Sequence, residues 1–99
     1  MQLGYSKRVD ANQARLVEMM RQLGMRVLVL SSVGRGVPDL LVGCNGLLKL
    51  CEVKDGKKFL SAQKLTQDQV KFFSDWDGYC CILRSENDVL ALRKSMIKC

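Results

Sequence analysis

Histidine is absent from all 99 residues. That excludes His-based triads, imidazole general bases, Cys–His nucleophiles and most zinc sites. Catalysis by this chain would have to rest on carboxylates, lysine, thiols or hydroxyls. Long apolar runs are also missing. The longest, residues 79–83, has five members, against the ~20 that a membrane helix needs. Met1-Gln2-Leu3-Gly4-Tyr5 lacks the hydrophobic region of a signal peptide, which predicts a cytoplasmic protein. The five cysteines, Cys44, Cys51, Cys80, Cys81 and Cys99, are odd in number and contain no C-x-x-C. Neither a disulfide framework nor a zinc ribbon fits them, and reduced, mostly buried thiols are expected.

What remains is an ordinary globular composition, 47% hydrophobic, in a chain long enough for one modest core and too short for two. Residues 1–99 are read as a single domain. Sixteen Lys and Arg oppose ten Asp and Glu, a net charge of +6. Such an excess is either a solvated surface or the electrostatic footprint of a polyanion-binding protein.

Apolar spacing predicts a helix over residues 10–24, with Asp10 as its cap, Ala14, Leu16, Val17, Met20 and Leu23 recurring, and Gly24 at its end. Strands are predicted over 25–31, 37–44 and 47–54, with residues 55–64 as a loop. A capping box, Thr66 with Gln69, starts a second helix that Gly78 ends. Residues 79–84 form a fourth strand, and a second capping box over 85–88 opens a last helix to about residue 96. Two strand segments, 27–30 and 79–83, read as buried on both faces. The order α-β-β-β-α-β-α predicts an α/β fold, a mixed central sheet flanked by helices.

Between the second and third strands lies Asn45-Gly46, the pair favoured in a type I′ hairpin turn. If these are the two turn residues, Cys44 pairs with Leu47, and counting outward sets Asp39 opposite Glu52. Opposed residues share a face, with Cβ atoms ~4.5–5.5 Å apart, and Lys54 lies on that face too. Two adjacent carboxylates call for a shared proton, a cation or a metal ion. Mg²⁺ is typically held by one or two carboxylates and completes its shell with water and phosphate oxygens. The plainer alternative is a turn aspartate after Pro38 and a surface ion pair between Glu52 and Lys54.

Val37-Pro38-Asp39 followed, thirteen residues after the aspartate, by Glu52-Val53-Lys54 resembles the PD-(D/E)XK nuclease core. With Arg8-Val9-Asp10-Ala11-Asn12-Gln13, Gly36 to Gly43, Glu52-Val53-Lys54-Asp55-Gly56 and Leu65-Thr66-x-x-Gln69, the chain is similar to the VRR-NUC group of that superfamily. The run Asp10-Ala11-Asn12-Gln13 and the Leu65-Thr66-x-x-Gln69 step resemble its small stand-alone members from phages and bacteria. The likeness runs from about Arg8 to Arg93. It implies a restriction-endonuclease-like core and Mg²⁺ or Mn²⁺ bound by Asp39, Glu52 and the carbonyl of Val53. Lys54 would contact the attacking water or the scissile phosphate, and Gln69 would lie near the site. Related resolvases carry a glutamate on the first helix. The matching position here is Gln13, a neutral amide that cannot neutralise metal charge. The resemblance further implies a homodimer that cuts four-way (Holliday) junctions.

Other residues carry two readings each. Capping alone accounts for Gln69. Arg35, in a glycine-containing loop before Asp39, is either part of a plain connection or a phosphate contact. Lys57, Lys58 and Lys64, and Lys7 and Arg8 in the N-terminal arm, are solvated charges or a track for a phosphate backbone. Phe72, Phe73 and Trp76 read as core or subunit interface, and Met19 and Met20 are candidates for the dimer surface. The function expected is that of a metal-dependent endonuclease acting on branched DNA. The alternatives are a monomeric nickase or flap nuclease, or a non-catalytic nucleic-acid-binding module.

Overall fold

The computed structural model of the chain describes residues 11–76 and 80–97. Lys7, Arg8, Asp10, Gly78, Tyr79 and Cys99 lie outside the described residues. The elements are α1 (Ala11–Gln22), β1 (Arg26–Val29), β2 (Leu40–Cys44), β3 (Leu47–Val53), α2 (Leu60–Gln63), α3 (Gln67–Asp75), β4 (Cys80–Leu83) and α4 (Glu86–Ser95). This is the expected α/β order with one addition: the loop expected over residues 55–64 contains the single turn of α2. The strands form one mixed sheet in the order β1-β2-β3-β4. β1, β2 and β3 run antiparallel, and β4 joins β3 in parallel. The parallel pair needs a crossover, which α2 and α3 supply.

The Asn45-Gly46 turn forms as its composition predicts. Both residues have positive φ, 53° and 79°, as a type I′ turn requires. Its register is Cys44↔Leu47 through Leu40↔Cys51. The strand expected from residue 37 starts only at Leu40. Pro38 has no N–H to give a ladder, while the Asp39 carbonyl already accepts from the Leu30 N–H.

One face of the sheet carries the core. Leu16 and Met20 of α1, and Val89 and Leu92 of α4 with the following Met96, bury against Leu40, Val42, Cys51, Val53 and Leu83. Each such side chain contributes about 1.5–3 kcal/mol of burial. Met20 is therefore core rather than dimer surface, and Met19 is half-buried against it, whereas Ala14 is exposed. At the end of α1, Gly24 takes the left-handed conformation (φ 89°) expected of a helix stop.

Three other expectations are corrected. β1 is not buried on both faces: it is an edge strand, with Leu28 57% and Val29 41% exposed. β4 is the other edge and is half-buried except at Leu83. Ser85 makes no side-chain cap to α4; instead the Asp88 carboxylate accepts from the Arg84 N–H at 2.7 Å. The four cysteines in the described residues are free, and only Cys51 is fully buried. Among the described residues no helix is long and apolar enough to cross a membrane.

Candidate active site

One step beyond the Leu40↔Cys51 pair, the hairpin register sets Asp39 opposite Glu52. Both carboxylates are buried, at 3% and 1% exposure. A charge in such a place is tolerated only when hydrogen-bonded or paired. Asp39 Oδ2 accepts from the Val53 backbone N–H at 2.9 Å, across the hairpin. Its Oδ1 lies 3.4 Å from the Ser31 hydroxyl. Ser31 in turn accepts from Gln13 Nε2 at 2.9 Å. The first-helix position singled out in the sequence is thus one hydroxyl away from Asp39.

Glu52 is held from two sides. Gln69 Nε2 donates to its Oε2 at 2.9 Å, and the Lys54 ammonium lies 3.7 Å from the same oxygen. Lys54 Nζ also donates to Gln69 Oε1 at 3.1 Å. That oxygen accepts the Thr66 N–H as well, at 2.9 Å, while Thr66 Oγ1 accepts from the Gln69 N–H at 3.2 Å. The capping box of α3 and the link to Glu52 and Lys54 are therefore one structure: the two readings of Gln69 hold together.

The loop before Asp39 places α3 on the site. Gly36 has φ 81°, and a Cβ there would run into the Asp68 carbonyl and crowd the Gln69 N–H. Only glycine lets the loop lie this close to the first turn of α3. From the other side Asn12 of α1 donates to the Lys54 carbonyl at 3.0 Å. Sequence reasoning gave neither Ser31 nor Asn12 a role in holding the site. Their partners lie 8 and 42 residues away, beyond any local pattern.

The expected site residues divide. Asp39, Glu52, Val53, Lys54 and Gln69 come together, with Gln13 behind Ser31. Arg35 does not join them: it is exposed and lines a groove on the flank of α3 with Asp68, Lys71, Phe72 and Asp75. Lys71 in the same groove is paired with Asp75 at 3.3 Å. Lys57, Lys58 and Lys64 are exposed along the segment after Lys54. Phe72 and Trp76 stack at 5.2 Å with rings 9° from parallel, and Trp76 is half exposed.

Cys51 and Cys81, paired across β3 and β4, bring their sulfurs to 2.8 Å. The bond to Cys81, then burial, raises the Cys51 pKa. The same hydrogen bond lowers that of Cys81.

Among the described residues no group of three or more His, Cys, Asp or Glu is placed to hold a metal ion. The two buried carboxylates are hard oxygen donors of the kind that suits Mg²⁺ or Mn²⁺, which need few protein ligands. Compared with protein-family models, with curated proteins and with solved structures, the chain matches none.

Proposed function

We propose that this chain is a divalent-metal-dependent endonuclease for branched DNA, built on a restriction-endonuclease-like core of the VRR-NUC type. The observation that carries this reading is the burial of Asp39 and Glu52 on either side of the outermost hairpin pair, Leu40↔Cys51, with the Lys54 ammonium at 3.7 Å from Glu52 and tethered by Gln69. Two buried acids with one lysine form a poor structural device, since like charges across a ladder are destabilising. They form a good phosphodiester site, because that chemistry needs negative charge beneath a cation and positive charge on the phosphate.

Asp39, Glu52 and the Val53 carbonyl would hold Mg²⁺ or Mn²⁺, which supplies charge neutralisation on the phosphate and lowers the pKa of water. Lys54 donates to an oxygen of the scissile phosphate, where negative charge grows in the transition state. Gln69 positions both Glu52 and Lys54. Gln13 positions Asp39 through Ser31, and as an amide it adds no charge, which favours one ion over two. Arg35, Lys57, Lys58 and Lys64, with Lys7 and Arg8, would track the phosphate backbone.

A four-way junction needs two cuts, and one domain offers one site. A twofold dimer supplies both. The hollow that Leu28 of β1 lines with Leu41 and Gly43 of β2 and Leu48 of β3, with Leu28 57% and Leu48 65% exposed, is the apolar surface proposed for it.

The test compares cutting of a labelled four-way junction with cutting of linear duplex of the same sequence, with Mg²⁺ or Mn²⁺, by the wild type and by Asp39→Ala and Glu52→Ala. Junction-selective nicking lost in both variants supports the reading. Binding without cutting under either metal would leave a non-catalytic nucleic-acid-binding module, and cutting of flaps by a monomer would leave a flap nuclease.

A further inference from the structure

The segment after Lys54 is closed by its own hydrogen bonds. The Lys57 N–H donates to Asp55 Oδ1 at 2.9 Å, and the Lys58 N–H to the Asp55 carbonyl at 3.1 Å. Gln63 Nε2 donates to the carbonyls of Lys58 and Gly56 at 2.7 and 3.3 Å. Arg84, just past β4, moors the loop: its Nε donates to Gln63 Oε1 at 3.1 Å, and its carbonyl accepts the Gly56 N–H at 3.3 Å.

This scaffold turns two large apolar side chains into water. Phe59 is 86% and Leu60 79% exposed, the highest values among the exposed large apolar residues described. Phe59 stands at the N-cap of α2 and makes no side-chain cap, at a position where Ser, Thr, Asp or Asn would serve folding better. Neither the core nor the helix explains this pair.

The surroundings name the partner. Lys57, Lys58 and Lys64 are all exposed around the tip, and the one acid of the loop, Asp55, is engaged with its backbone. An apolar tip ringed by cations matches a ligand that offers flat apolar faces among negative charges. Bases exposed at a break in the stack of a nucleic acid do so, whereas a continuous duplex hides them. Phe59 follows Lys54 by five residues, a reach of at most about 18 Å, or roughly five base steps of ~3.4 Å.

We infer that Phe59 and Leu60 form a wedge that stacks against the open bases at a DNA branch point while Lys54 contacts the scissile phosphate. The wedge is then what selects branched over continuous DNA. This inference rests on the endonuclease reading above for the role of Lys54.

The experiment uses the full chain without divalent metal and a four-way junction carrying 2-aminopurine at the branch. The same label in linear duplex is the control. The wild type is expected to raise the emission several-fold on the junction and leave the duplex unchanged. Phe59→Ser with Leu60→Ser should abolish the rise and weaken junction binding about tenfold, with an unchanged melting temperature. Phe59→Trp, which keeps an aromatic face, should retain the preference for binding the junction over the duplex. Lys57→Ala with Lys58→Ala should weaken binding to both DNAs and flatten the salt dependence by about two logarithmic units of slope. Equal emission and affinity for the wild type and the serine variant would overturn the wedge, even if the wild type cuts junctions. A wedge signal from a protein that cuts nothing in Mg²⁺ or Mn²⁺ would support the wedge and overturn the endonuclease reading. Binding to anionic vesicles lost in the serine variant, with no emission change on DNA, would overturn the wedge in favour of a membrane contact.

Discussion

Gln69 receives the Lys54 ammonium on the same side-chain oxygen that caps α3. Helix start and lysine position are therefore set by one atom. Thr66→Ala removes the threonine half of the cap and leaves the Lys54 contact, so it should cost about 1 kcal/mol with cutting retained. Gln69→Leu removes cap and tether together. It should show a similar loss of stability and about a hundredfold loss of cutting, because small misplacements of a catalytic group are expensive. Thermal melts and single-turnover cleavage of the two variants separate these effects.

Asp39→Asn keeps an oxygen for the Val53 N–H while deleting the charge. The fold should survive, with a melting temperature within a few degrees of wild type. Cutting should fall by at least about a hundredfold. Binding to the junction without metal should be equal or tighter, since a negative charge near the phosphate has gone. A gel-shift titration beside the cleavage assay reads both.

Gly34 and Gly36 both have positive φ, 77° and 81°, but only Gly36 lies against α3. Gly34→Ala should cost about 1–2 kcal/mol, the ordinary penalty of a left-handed alanine. Gly36→Ala adds the clash with Asp68 and should cost about 1–3 kcal/mol more. It should also lower cutting, as Gln69 is displaced. Chemical denaturation of the two variants gives the difference directly.

The Cys81 thiol is held below its ordinary pKa by the bond from Cys51, whose own proton is held more tightly. Thiolate is the reactive form, so Cys81 should be alkylated before Cys51 at neutral pH. The midpoint of its rate profile should lie at lower pH than that of an ordinary thiol. Cys51→Ala removes the hydrogen-bond partner and should move that midpoint upward. Mass-spectrometric mapping of iodoacetamide labelling against pH tests it.

Leu28 and Leu48 are solvent-exposed on one chain. Leu28→Lys with Leu48→Lys should leave the monomer's stability within about 0.5 kcal/mol and shift the mass in light scattering from dimer to monomer. A wild type already monomeric at tens of micromolar would remove this surface from the proposal.

The hairpin and the capping box were legible because each is coded by adjacent residues: Asn45-Gly46 has few other conformations to choose, and Thr66 and Gln69 meet within one turn. The register from Cys44↔Leu47 to Leu40↔Cys51 follows by counting outward from that turn. The exposure of β1 was not legible, because Val27-Leu28-Val29-Leu30 has the same apolar pattern whether or not a further strand lies beside it. The part played by Ser31, Asn12 and Arg84 depends on partners far along the chain. Ser85 and Asp88 had the spacing of a box, yet the carboxylate is engaged with the Arg84 N–H instead. The tip at Phe59 and Leu60 is not legible in the sequence, since two apolar residues in a basic loop show their exposure only once the loop is built.

The two acids lie symmetrically about a two-residue turn, and this makes the number of residues between them as consequential as their identity. A single insertion within either strand, from Leu40 to Cys44 or from Leu47 to Cys51, would put one acid out of step with the other and turn it to the opposite face of the sheet. Matched single insertions in both strands would keep the pairing but move both acids about 3.3 Å along the strands and turn both to the opposite face, away from Ser31 and Gln69. The segment can accept many substitutions of side chain and no change in count.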